Sequence, residues 1–209
     1  SLYFSHLKTA SSSSNNEDDI TKECIISLVR EEGLINLNQR CDTILHFLAI
    51  KGMVSTFSAL VIEHGLVSRE ALEGKNVKGY TPLHEAVRYG HKELAEIMLM
   101  QNNDLVFMED NNGETPLYVA AKYGNDEVFR LLEDYRSDCF TKRNDGRSIL
   151  HAAIDGEHFH LAARILASYP SVAQEHDQKG MSALNLLATK KLSFKSGSPY
   201  MFSDLRRSP

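Results

Sequence analysis

The chain has little on which covalent or redox chemistry could be built. Its three cysteines, Cys24, Cys41 and Cys139, are odd in number and form no CxxC pair, so neither a disulfide framework nor a zinc knuckle is expected, and a reducing compartment is the simplest home. Positive charge is scarce as well: 23 Lys and Arg face 28 Asp and Glu, for a formal net charge of -5. With no basic stripe to offset that balance, there is no electrostatic reason to expect a nucleic-acid binder. The phosphate-cradling strings GxGxxG and GxxxxGK[ST] and the hydrolase elbow GxSxG are missing. His84-Glu85 lacks the second histidine of a zinc-protease helix, the adjacent pairs Asp18-Asp19 and Glu31-Glu32 read as solvated helix-end charges, and Cys139 reads as an inert thiol. No enzyme activity, cofactor or metal is therefore expected.

Long apolar runs are nearly absent too. The most membrane-like stretch, Thr43 to Ile62, is 20 residues long but carries Lys51-Gly52 at its centre. A mid-span lysine costs a few kcal/mol on insertion scales, and the glycine predicts two short helices in place of one span. No secretory signal is visible at Ser1, and the missing initiator methionine points to a processed or cut sequence. Residues 1 to 19, with a four-serine run followed by Asn15-Asn16-Glu17-Asp18-Asp19, hold too little apolar surface to order themselves and read as a flexible lead-in. From Ile20 the pattern changes. Ile20, Cys24, Ile25, Leu28 and Val29 share one face of a helix of period 3.6, which Gly33 would stop.

What the chain does have is self-similarity. Thr43-Ile44-Leu45-His46, Thr81-Pro82-Leu83-His84, Thr115-Pro116-Leu117-Tyr118 and Ser148-Ile149-Leu150-His151 can be superposed, and Ser182-Ala183-Leu184-Asn185 makes a weaker fifth. Their first residues recur 38, 34, 33 and 34 positions apart. Each string is a helix entry: a hydroxyl caps the first N–H groups, proline at the first helical position loses no hydrogen bond, and leucine opens the apolar face. Polar turns ending in Gly79, Gly113, Gly146 and Gly180 precede four of the caps, and Gly52, Gly90 and Gly124 follow three of the first helices. The recurrence of His46, His84 and His151 at one phase is explained by a structural role beside the cap. His158, His160 and His176 do not make a convincing zinc set.

Period, order and the Thr81-Pro82-Leu83-His84-x-Ala86 string resemble ankyrin repeats. The resemblance covers roughly residues 38 to 190. It implies an all-α solenoid with short β-turn fingers: a partial capping repeat over residues 20–37, then about five repeats starting near 38, 76, 110, 143 and 177, and a linker or tail over 191–209. Departures are visible. Repeat one has Arg40-Cys41 where a turn glycine is expected, Glu157 replaces the inter-helix glycine of repeat four with Gly156 one place early, and Asn185 stands where repeat five should have histidine.

A narrower resemblance rests on Asn112-Gly113-Glu114-Thr115-Pro116-Leu117-Tyr118, on Gly146 to Ile154, on Gly180 to Ala188 and on Ser193-Phe194-Lys195-Ser196-Gly197. These phrases are similar to plant ankyrin proteins of the accelerated-cell-death and salt-tolerance type, which carry a C-terminal membrane domain with a Pro-Gly-Gly motif. That resemblance implies the cytoplasmic part of a membrane protein in stress or defence signalling, with membrane contact only through a domain outside this chain. Five basic residues against one acidic over the last twenty fit a cytoplasmic position beside a span.

By repeat position, the ankyrin resemblance places a protein partner on the concave face. The contact sites are Val77, Lys78, Tyr80, Arg88 and Tyr89 in repeat two, Asn111, Asn112, Glu114, Lys122 and Tyr123 in repeat three, and Asn144, Asp145, Arg147 and Asp155 in repeat four. Tyrosine and arginine dominate interface energies. The expected function is a non-catalytic interaction module. The alternatives are a substrate-recruiting arm of a ligase or acyltransferase whose catalytic domain lies elsewhere, and a soluble regulator of a transcription factor.

Overall fold

The computed structural model describes residues 15–135 and 142–190, with side chains from residue 19 onward. The expectations for residues 1–14, Cys139 and residues 191–209 lie outside these. The chain opens with helix α1 (Asn15–Glu32), followed by α2 (Ile44–Lys51), α3 (Val54–Ser58) with a π-helical turn (Ala59–Glu63), and α4 (Arg69–Leu72). Then come α5 (Pro82–Arg88), α6 (Lys92–Gln101), α7 (Pro116–Tyr123), α8 (Asp126–Tyr135), α9 (Ile149–Asp155), α10 (Phe159–Ser168) and α11 (Ala183–Thr189). Isolated antiparallel bridges pair Asn36 with Thr43, Lys142 with Ser148 and His176 with Ser182, closing short fingers.

α1 starts at Asn15, ahead of the expected boundary at Ile20, on an acidic stretch that suits the positive end of a helix. Its buried face is Ile25, Ile26 and Val29, while Ile20 is 64% exposed and Cys24 is exposed. The expected stripe was therefore rotated, because the helix meets the rest of the molecule at α3 alone among its stronger contacts.

Each later unit repeats one local logic. Thr43, Thr81, Thr115, Ser148 and Ser182 hold extended backbone angles at the start of α2, α5, α7, α9 and α11. The Thr81, Thr115 and Ser182 hydroxyls accept from the backbone N–H three residues on. These first helices stack in the order α2, α5, α7, α9, α11, and α3, α6 and α8 form a second layer. The leucine two residues past each cap shows where that stacking ends. Leu45, Leu83, Leu117 and Leu150 are at most 2% exposed, whereas Leu184 is 50% exposed on the last helix. A solenoid buries each unit only on its neighbours, so the unit with one neighbour keeps part of its face in solvent.

The recurrent histidines join successive units. In His84 the Nδ1 accepts from the Thr81 N–H at 3.2 Å, so the ring proton sits on Nε2 and is donated to the Glu114 carbonyl, 3.1 Å away in the next repeat. His46 does the same between Thr43 and the Tyr80 carbonyl at 2.8 Å, and His151 between Ser148 and the Met181 carbonyl at 3.0 Å. Tyr118 fills that place in repeat three. The fingers bond to one another as well. The N–H of Val77, Asn111, Asn144 and Gln178 donates to the carbonyl of Arg40, Lys78, Asn112 and Asp145 at 2.9 to 3.2 Å.

The departures from the glycine pattern have local causes. Cys41 and Glu157 adopt φ of 56° and 62°, the left-handed conformation that glycine supplies at the matching positions. Gly156 cannot be exchanged with Glu157, because a Cβ on it would lie 2.4 Å from the Lys122 carbonyl oxygen. The 38-residue first repeat takes up its extra length in the connection at residues 64–68, since its second helix ends at the same distance from the cap as the others. The apolar run Thr43 to Ile62 is broken at Gly52-Met53, between α2 and α3. No helix among the described residues is long and apolar enough to cross a membrane.

Candidate protein-interaction face

The fingers and the C-terminal ends of α5, α7 and α9 bring most of the expected contact residues onto one side of the stack. At its centre the Arg88 guanidinium lies over two tyrosine rings, 5.3 Å from the Tyr89 centroid and 5.3 Å from that of Tyr123 in the next repeat. Lys122 sits 5.9 Å over the Tyr123 ring, and Tyr89 stacks on His91 at 6.3 Å. Tyr89 remains 47% exposed and Tyr123 36%. Cation–π contact fixes long side chains that would otherwise lose rotamer freedom on binding. Val77, Lys78 and Asn112 are exposed at the finger tips.

Two expected contact residues are not on the surface. Tyr80 is 5% exposed, stacked on His84 at 5.3 Å, and burial raises its phenol well above the usual range. Glu114 is fully buried, and its carboxylate accepts from Lys122 Nζ at 2.9 Å and Arg143 at 3.3 Å. Both residues stand directly before a cap, where the chain turns under the finger, and the register alone does not separate that place from the tip. Asn111 and Asn144 are exposed, but their amides donate to the carbonyls of Val77 (2.9 Å) and Asn111 (3.4 Å), so they bind finger to finger.

On repeat four the expected residues form a salt-bridge network. Arg147 pairs with Asp155, Asp145 and Asp177, and Arg143 donates to Asp145 at 2.7 Å. Burial pushes the Asp145 carboxyl up, but the Arg143 hydrogen bond and both guanidinium charges outweigh it and hold it below the ordinary carboxylate range. Lys190 closes the network on Asp155 and Glu157 at 3.9 Å.

Arg40 and Arg143 were missed at the level of sequence. Arg40 reaches Glu85, a fully buried carboxylate, at 2.8 Å. The available signal was register: Arg143 stands five residues before its cap, where Asn38, Asn76, Asp110 and Asp177 accept the backbone N–H groups of their turns. A cation at a place that calls for an acceptor marks a side chain with another task. Deeper in the stack, His91, Asn125 and His158 pack over Gly52, Gly90 and Gly124 of the preceding repeat, which gives His158 a structural place. No metal-binding cluster occurs among the described residues.

A stack of helical hairpins tied finger to finger, with a rigid aromatic and cationic rim, defines a repeat scaffold whose asset is surface. A family model described as Ankyrin repeats (3 copies) matches residues 9–109 and 71–143, and the chain belongs to the ankyrin-repeat family. No curated protein matches the chain. As a member of that family it is a protein–protein interaction module.

Proposed function

We propose that the chain is a non-catalytic recruitment module that seats its partner on the concave face of repeats two to four, against Val77, Lys78, Tyr89, Asn112, Lys122 and Tyr123. The observation that supports this most is the Tyr89–Arg88–Tyr123 cluster, which joins two repeats through partly exposed side chains of the types that dominate interface energy. Arg147, Asp145 and Asp155 border that surface on repeat four.

The similarity of residues 112–118, 146–154 and 180–188 to plant ankyrin membrane proteins supports a finer reading. In it the chain is the cytoplasmic part of such a protein, at the cytoplasmic face of the plasma membrane, and acts in stress or defence signalling. Sequencing the native transcript past the Pro209 codon and fractionating the product tests this. Several apolar runs of about 20 residues with a membrane-bound product are expected, and an early stop with a soluble product refutes the membrane reading.

For the face itself, partners found by two-hybrid screening with the whole chain are titrated against the Arg88→Ala, Tyr123→Ala double variant. The expected loss is about 2 kcal/mol or more, roughly 30-fold in affinity. Unchanged affinity in a variant that melts normally removes this face from the reading.

A further inference from the structure

The two carboxylates at the base of the aromatic rim, Glu85 and Glu114, are both fully buried. The cations that neutralise them are not: Arg40 and Lys122 keep 41% and 35% of their side chains in solvent, and Arg143 keeps 31%. A visitor to repeats one to three therefore meets the cationic side of each pair, although the chain as a whole carries a net charge of -5. Within that layer Arg88 is unusual. Its guanidinium carbon lies 5.3 Å from the centroids of both the Tyr89 and the Tyr123 rings, so two aromatic side chains from successive repeats flank one planar cation.

The Arg88 N–H groups make no hydrogen bond within the described residues. Its ion-pair partner among the described residues is Glu85 Oε2 at 3.6 Å, beyond hydrogen-bond distance, and the other Glu85 oxygen is held by Arg40 at 2.8 Å. Glu85 Oε2 itself has no hydrogen-bond partner. The result is a guanidinium flanked by two rings and one quarter exposed, whose N–H groups have no hydrogen-bond acceptor among the described residues. A fork of parallel N–H donors of this kind matches the two oxygens of a carboxylate.

Resting on the proposed function, we infer that the Arg88 edge is the specificity element of this face, and that it receives an Asp or Glu side chain of an extended segment of a protein partner. The exposed Tyr89 and Tyr123 rings then cover apolar side chains on either side of that acid. A monoanion is favoured over a phosphate, because in the repeat-four network further along the same stack the four carboxylates Asp145, Asp155, Glu157 and Asp177 outnumber the three cations Arg143, Arg147 and Lys190, and the surplus negative charge repels a dianion more strongly. A nucleic-acid strand is disfavoured on the same ground.

The test uses the whole chain and a random peptide library displayed on phage. Enriched peptides are titrated by fluorescence anisotropy against the chain and against Arg88→Gln, Arg88→Lys and Tyr123→Ala, each checked for an unchanged melting temperature. Enriched peptides are expected to share one Asp or Glu, and its change to the amide should weaken binding about 10- to 100-fold. Arg88→Gln should weaken the acidic peptide by a similar factor and leave the amide peptide nearly unaffected, so that the double-mutant cycle shows coupling. Arg88→Lys, which keeps the charge and loses the fork, should restore only part of the affinity.

Additive effects in that cycle, or enriched peptides without a shared acid, overturn the carboxylate assignment; if Tyr123→Ala still weakens binding, the recruitment face survives. A phosphoserine peptide binding ten-fold more tightly than the aspartate peptide reassigns the edge to phosphate. A single-stranded oligonucleotide that displaces the peptides overturns the protein segment as ligand. Failure to enrich any peptide, or binding indifferent to all three variants, refutes the face and the recruitment reading together.

Discussion

Acid should loosen this molecule well above the pH at which its carboxylates titrate, and His84 is the reason. The ring is fully buried, with Nδ1 committed to the Thr81 N–H and Nε2–H to the Glu114 carbonyl. Protonation would turn the Nδ1 acceptor into a donor facing a donor, inside a desolvated site. Burial accordingly pushes the His84 pKa from 6.5 down to about 4, against the raising effects of the Glu114 carbonyl and Asp110; Lys75 and His46 add to the fall. Between those two values the unfolded chain binds a proton that the folded chain refuses, so stability is fully present above pH 6.5 and is lost as pH falls toward 4. Each unit is worth 1.36 kcal/mol, which makes about 3 kcal/mol for His84. His46 is shifted in the same direction, with burial the leading cause. Asp42, Asp145 and Asp177 are lowered from 3.8 and lose their contributions only below that window.

Urea unfolding followed by circular dichroism at half-unit steps from pH 7.5 to 4 measures this. The expected profile is flat above about pH 6.5 and then falls by about 3 kcal/mol or more. His84→Asn, which installs the residue that stands at this position in repeat five, should lower stability at pH 7.5 and flatten most of the slope. A profile level down to pH 4.5, or a slope unchanged by His84→Asn, would refute the argument that a buried neutral imidazole holds the second and third repeats together.

Two substitutions at turns have opposite expected signs. Cys41→Gly relieves a left-handed residue (φ 56°) at the tip of the first finger and should raise stability by roughly 0.5–1 kcal/mol, after the added entropy of glycine in the unfolded chain is subtracted, which a thermal melt resolves. Gly156→Ala places a Cβ 2.4 Å from the Lys122 carbonyl oxygen and should cost roughly 2 kcal/mol or more; a neutral result would show that repeats three and four are less tightly seated than their geometry implies.

Much of the architecture was readable without coordinates because its determinants are local. A cap hydroxyl bonds three residues along its own helix, and a turn acceptor such as Asp110 bonds two and four residues along its own finger. Such interactions recur whenever the string recurs, so Thr81-Pro82-Leu83-His84 states its structure on sight. The role expected of His46, His84 and His151 beside the cap follows from the same register, and the structure adds the carbonyl that each reaches in the next repeat. The first helix was harder: with one flank to pack, Ile20 and Cys24 look like core by period and stand in solvent.

The chain by itself therefore determined the unit: its caps, its reversals and, in four of its five copies, its buried leucine. Only the tertiary structure decided which of the expected contact residues reach solvent. Tyr80 and Glu114 occupy the same repeat position as Arg147, yet stacking drives the first two under the fingers and leaves Arg147 a quarter exposed. Whether Arg88 meets Tyr123, 35 positions along, depends on the rotation between neighbouring hairpins, a quantity summed over every contact in the interface. Local strings specify hydrogen bonds within a few residues; the distance between side chains on successive repeats is set by packing, and packing is a property of the assembled stack.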